Sequence, residues 1–211
     1  MKANGVLDEG LAVGRRFTAF EGTRRIAGGE LADVAVKVRK AVDRGGRQAV
    51  LVFDDVTSEQ VELDLRGSVA EVRARARARV AAMESPAAAE GGQGPRGPGR
   101  PRLGVVAREV TLLPRHWEWL GEQPGGASVA LRKLVDEARK ANEGKDRLRR
   151  AQDSAYRFMS AMAGNLPGYE EAIRALFGGD AGRFEEQVAE WPAGVRDHAM
   201  KLAGVVFEGR G

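Results

Sequence analysis

The stretch 84–102, ESPAAAEGGQGPRGPGRPR, constrains this chain more than any other. It consists almost wholly of Pro, Gly, Ala and charged residues, so it has almost nothing to bury and cannot repay the entropy of being ordered. A flexible linker is expected there. Whatever folds must therefore be built from the residues on either side, and the two flanks read differently.

Before the linker, 1–83 reads as a small α/β domain. RFTAF (16–20) and RRIAGG (24–29) are strand-like around a tight Glu21-Gly22-Thr23 turn. ELADVAVKVRKAV (30–42) sets Leu31, Val34, Val38 and Ala41 on one helical stripe, and QAVLVF (48–53) is an apolar run of strand length. EQVELDL (59–65) alternates Val61, Leu63 and Leu65 against Glu62 and Asp64, as a half-buried strand would. Between these two runs, Asp54 and Asp55 read as turn residues and not as metal ligands. Ser68 followed three residues later by Glu71 is a capping-box signature, and Val69, Val72, Ala76, Val80 and Met83 make the buried stripe of the helix it opens. Arg73, Arg75, Arg77 and Arg79 flank that stripe as surface arginines. The expected order is β-β-α-β-β-α, a sheet with helices on one face.

After the linker, 143–211 reads as an all-α bundle. Leu148, Ala151, Ala155, Met159 and Met162 follow helical spacing up to a Gly164-Asn165 stop. Tyr169, Ile173, Leu176 and Phe177 mark a second helix, Phe184 and Val188 a short third one capped by Asp180, and Val195, Ala199, Leu202 and Val206 a last one. The expected fold class is thus an α+β N-terminal domain, a linker, an intervening segment (103–142) and an all-α bundle.

Charge singles out that middle. Residues 94–150 hold thirteen Arg and Lys against seven Asp and Glu, whereas 1–93 hold fifteen against fourteen and 151–211 six against nine. A polyanionic partner belongs on the basic segment. The absence of Cys excludes disulfide frameworks and cysteine zinc sites. No apolar run has membrane-spanning length and no secretory signal pattern opens the chain, so a cytoplasmic protein without membrane partners is expected. His116 and His198, the two histidines, are expected in surface or capping roles. No serine triad, phosphate loop or paired-carboxylate signature is present, so neither an enzyme nor a cofactor is expected.

The segment REVTLLPRHWEWLGEQPGGASVALRKLVDEARK (108–140) reads as a short strand (108–113), a helix opened by Pro114, a Pro124-Gly125-Gly126 break and a helix capped by Ser128. That order resembles a ribbon-helix-helix module, carried by the Leu113-Pro114 junction, the Gly126-Ala127-Ser128 turn and the second helix. The resemblance implies an intertwined homodimer whose paired strands enter the major groove of duplex DNA. Arg108, Val110 and Leu112 take the groove-facing positions, and the Gly126–Ser128 helix start faces a phosphate. Leu113, Trp117, Leu120, Leu131, Leu134 and Val135 are expected at the dimer interface. Two of the three groove positions are apolar, unlike the hydrogen-bonding residues usual in that family.

Over most of its length the chain also resembles an uncharacterised bacterial family, a domain of unknown function, through VTLLPRHWEWLGEQPGGASVALRKLVDEARK and AYRFMSAMAGNLPGYEEAIRALFGGD. These readings together point to a dimeric DNA-binding protein, a transcriptional regulator or nucleoid-type binder. Arg96, Arg100 and Arg102 would form a basic arm, with Pro98 where a minor-groove hook carries Arg, and Lys145, Arg147, Arg149 and Arg150 would add phosphate contacts. The alternative is an interaction adaptor in which the module only dimerises.

Overall fold

The structure is a computed structural model and describes residues 14–46, 48–84 and 108–209. Beyond Glu84 the expected linker lies outside the described residues, as do Arg96, Arg100 and Arg102. Three strands, β1 (Phe17–Glu21), β2 (Arg24–Gly29) and β3 (Val50–Asp54), form an antiparallel sheet in the order β2-β1-β3. Two helices, α1 (Leu31–Asp43) and α2 (Val69–Glu84), belong to the same flank. After the gap come α3 (Pro114–Glu122), α4 (Gly126–Ala163), α5 (Tyr169–Gly178), α6 (Ala181–Val188) and α7 (Ala193–Glu208). The fold is mixed α+β, with a largely helical C-terminal part.

Strand alternation puts β1 to work on both sides. Phe17 and Ala19 join Val52 in a core closed by Leu31, Val34 and Val38 of α1 and Val72 and Ala76 of α2. Phe20 and Phe53 face the other way and pack on Ala155, Phe158 and Met159 of α4, Leu176 of α5, Phe184 of α6 and Val195 and Leu202 of α7. The sheet is therefore covered on both faces, not on one, and the C-terminal helices are not a body of their own. Residues up to Pro86 and from Arg147 onward form one compact unit, and 87–146 form a second.

The expected fourth strand over 59–65 does not form. Its ladder stops at a single Phe53–Gln60 bridge, flanked by Asp54 N–H to the Glu59 carbonyl at 3.0 Å and Val61 N–H to the Val52 carbonyl at 2.8 Å. Arginines then take over the carbonyls that a ladder would satisfy. Arg39 donates to the carbonyls of Leu65 and Gly67, and Arg75 to those of Asp64 and Arg66. Val61, Leu63 and Leu65 still pack on the α1–α2 core, which is why their alternation mimics a strand. The arginine run on α2 is thus partly structural, and Arg73 also pairs with Asp33 of α1.

Local signals place most helix ends. The Ser68–Glu71 capping box forms, with Ser68 N–H to Glu71 Oε2 at 2.7 Å and Glu71 N–H to Ser68 Oγ at 3.3 Å, and Asp180 caps α6 through Arg183 N–H at 3.0 Å. Val69 and Phe177, expected in the core, are exposed. The largest departure is α4. The expected boundary between 103–142 and 143–211 falls inside a helix, which runs for 38 residues through it. Gly144 alone weakens a helix by only about 1 kcal/mol, and no Pro interrupts it.

Gly194, in the first turn of α7, shows how closely that helix meets the β1–β2 turn. A Cβ there would lie 2.6 Å from the Thr23 carbonyl oxygen and 2.9 Å from Arg25 N, both backbone atoms that cannot yield cheaply. Gly194→Ala should therefore destabilise the fold by about 1–3 kcal/mol in urea melts. Gly204→Ala on the same helix, where a Cβ would meet nothing within 4 Å, should be neutral or stabilise by about 0.5–1 kcal/mol.

Candidate functional site

The β3 terminus gathers polar groups at the sheet–helix junction of the larger unit. Asp54 is fully buried; its Oδ1 accepts from Val56 N–H at 2.8 Å and Thr57 N–H at 2.9 Å, and its carboxylate pairs with Arg15. This is the local turn that Asp favours. Ser58 follows in a left-handed conformation (φ 53°), and its hydroxyl meets that of Ser154 on α4 at 2.8 Å. Arg157, also on α4, donates to the Thr57 carbonyl. Each bond ties the β3 turn to α4.

Asp55 reaches α7. Its Oδ1 accepts from Thr18 Oγ at 2.6 Å, and its Oδ2 pairs with Lys201 Nζ at 2.9 Å. Burial opposes its charge, but the Thr18 hydroxyl and the Lys201 ammonium together outweigh that and hold the carboxyl below its usual range. His198, one turn before Lys201, is not at the surface as expected. It is 4% exposed, its ring lies 4.5 Å from that of Phe158 and 5.5 Å from that of Phe20, and its Nε2 has no hydrogen-bond partner. Burial pushes its pKa down to about 4, against the pull of Asp55, so the ring is neutral at pH 7. With Nε2 unpaired and the two serines bonded to each other, no hydroxyl–imidazole relay is assembled here. Among the described residues no three His, Asp or Glu side chains come together as a metal ion would need.

Beside this junction lies a cleft of about 420 Å³. Arg147, Arg150, Ala151 and Ser154 supply one wall at i, i+3, i+4, i+7 spacing on α4. Asp55 and Val56 close one end, and Leu202 and Val205 of α7 the opposite wall. Two arginines expected at phosphates thus share a cleft, whereas Arg149 is exposed off that face. Reading Asp55 as a turn residue missed this grouping. The spacing along α4 was its one sequence signal; the contributions of Leu202 and Val205 had none.

In the smaller unit, 108–113 has no strand partner among the described residues, and the expected strand does not form there. Arg108 and Val110 are exposed, and Leu112 is half-buried. Leu112 lines an apolar pocket of about 260 Å³ with His116, Trp119, Leu120, Leu131 and Leu134. Ser128 is not the cap: α4 begins at Gly126, which takes φ +75°, and the Ser128 carbonyl accepts from Arg132 Nε at 3.0 Å. Of the six residues expected at a dimer interface, Leu120 is buried, Leu131 half-buried, and Leu113, Trp117, Leu134 and Val135 exposed.

A family model described as an uncharacterized protein conserved in bacteria (DUF2239) matches residues 16–203. No curated protein and no solved structure matches the chain.

The His198 environment fixes a pH response. The unfolded imidazole binds its proton near 6.5 and the folded one only near 4, so stability is full above about 6.5 and falls as pH drops through that window. The loss should approach about 3 kcal/mol by pH 4. In His198→Phe, urea midpoints measured between pH 4 and 6.5 should vary distinctly less with pH than in the wild type, whatever the offset between the two proteins.

Proposed function

The chain belongs to the uncharacterised bacterial family DUF2239, and we propose that it works as a self-associating DNA-binding protein of the regulator or nucleoid-binder kind. One observation carries this reading. Among the apolar side chains of 108–146, only Leu120 and Ala130 are buried, while Val110, Leu113, Trp117, Trp119, Leu134 and Val135 are each at least 43% exposed. Burying one leucine is worth about 1.5–3 kcal/mol, far too little to hold two helices together. A second copy that covers Trp117, Leu134 and Val135 supplies the missing core, and clustered exposed apolar residues mark such contacts. In that dimer 108–113 gains the partner strand it lacks among the described residues.

Charge supports DNA as the other partner. Residues 126–150 of α4 carry eight Arg and Lys against four Asp and Glu, and Arg108 lies on the approach to α3. Arg147, Arg149 and Arg150 would contact phosphates, joined by the arm residues Arg96, Arg100 and Arg102. Val110 and Leu112 favour a second reading, an adaptor whose module only dimerises, because apolar side chains offer no bidentate base contacts.

Light scattering should give a dimer mass, and Trp117→Glu with Val135→Glu should shift it to the monomer. Gel shifts on duplex DNA should show binding that weakens with salt at a log–log slope near −5, for about six neutralised phosphates. Arg100→Ala with Arg102→Ala should weaken it further. A dimer that binds no duplex at low salt leaves the adaptor, and a monomeric wild type ends both readings.

A further inference from the structure

Strand β3 leaves part of its outer edge unpaired. Its backbone groups alternate in direction. Those of Leu51 and Phe53 face β1, in step with the Ala49 carbonyl that accepts from Gly22 N–H and the Asp55 N–H that donates to the Arg16 carbonyl. Those of Val50, Val52 and Asp54 therefore face outward. There Asp54 N–H donates to the Glu59 carbonyl, and the Val52 carbonyl accepts from Val61 N–H. The Val50 N–H, the Val50 carbonyl and the Val52 N–H have no hydrogen-bond partner among the described residues. The stretch 59–65 makes only one bridge to β3, and its later carbonyls are held by Arg39 and Arg75. A cleft of about 550 Å³ is lined by 50–52 of β3, by 60–63 and Leu65, and by Val38 and Val42 of α1.

We infer that this edge takes up an extended peptide of another protein, antiparallel to β3, with apolar side chains opposite Val50 and Val52 and a basic one between them. Antiparallel pairing is the rule throughout this sheet. Val50 and Val52 lie about 7 Å apart along an extended strand, a spacing that the amides of a second strand repeat. Strand addition satisfies such groups through the peptide main chain and reads its side chains at alternate positions. Side chains opposite Val50 and Val52 fall on the face where both valines pack, toward α1, whose Val42 lines the cleft and is 46% exposed. Glu62 is the one charged residue in the described lining, exposed and in no ion pair, and it favours a lysine over a glutamate on the peptide. The edge belongs to the larger unit alone, and its use does not depend on DNA binding.

The test titrates acetyl-Thr-Val-Lys-Val-Thr-amide into the full chain, read by NMR at the backbone amides of Val50 and Val52. Both should shift saturably. The second valine of the peptide pairs with Val50 and donates to its carbonyl, so N-methylation there should weaken binding at least about tenfold. N-methylation of the lysine, whose N–H points away from β3, should weaken it less than about threefold. The analogue with glutamate in place of lysine should bind at least about threefold more weakly, and Glu62→Lys, at an exposed position, should reverse that order. Unmoved amides, two N-methyl peptides that respond alike, or an order that Glu62→Lys leaves intact would each overturn the inference. So would a Val50 amide that already exchanges slowly in the peptide-free chain, which assigns the edge to another segment of this protein. A Val50 amide whose exchange slows with protein concentration assigns it to a second copy and overturns it too.

Discussion

Four aromatic rings hold the larger unit together. Phe20 of β1 touches Phe53 of β3, Phe158 of α4 and His198 of α7, and Phe158 touches Phe53 and His198, with ring centroids 4.5–6.1 Å apart and several pairs edge to face. Such contacts add about 0.5–1.5 kcal/mol per pair beyond the area they bury. They sit where the second face of a three-stranded sheet meets helices from the far end of the chain. Without them the sheet would have one covered face and one bare one. His198 fits among them because burial keeps it neutral, so it serves as a fourth aromatic ring whose Nε2 goes without a hydrogen bond.

Around that cluster, polar groups fix the register. Asp54 organises the turn after β3, Asp55 reaches α7 through Lys201, and Ser58 and Thr57 reach α4 through Ser154 and Arg157. Each of these four residues gains a partner for the water it loses, and buried polar networks specify structure when they are satisfied in this way. The contrast with 108–146 is chemical. There most of the apolar side chains remain uncovered, and Arg132, Lys133, Arg139 and Lys140 of α4 are exposed.

Much of the fold was legible because it is local. The β1–β2 hairpin, the stripe of α1, the Ser68 capping box and the Asp180 cap are each written within a few residues. Three things were not legible. The alternation of 59–65 comes from packing under α1 and α2, and Arg39 and Arg75 serve its carbonyls, which no pattern within 59–65 announces. The two-faced sheet depends on Phe20 and Phe53 both facing helices that begin some hundred residues later. The length of α4 turns on the absence of a stop at 141–147, a negative signal that the expected domain boundary overrode. The candidate cleft was half legible, through Arg147, Arg150, Ala151 and Ser154 on one helical face, whereas its α7 wall has no signature at all.

That the larger unit is made from two stretches of chain governs the order in which it can be made. Phe20 and Phe53 leave the ribosome more than a hundred residues ahead of Phe158 and His198. At roughly 5–20 residues per second, the second face of the sheet waits on the order of ten seconds for its cover. Contacts this distant in sequence also slow folding, since the loop must close before they reward it. The nascent N-terminal half therefore presents Phe20 and Phe53 uncovered on a short sheet for that interval. The aromatic cluster can close only once the C-terminal helices that complete it have been made.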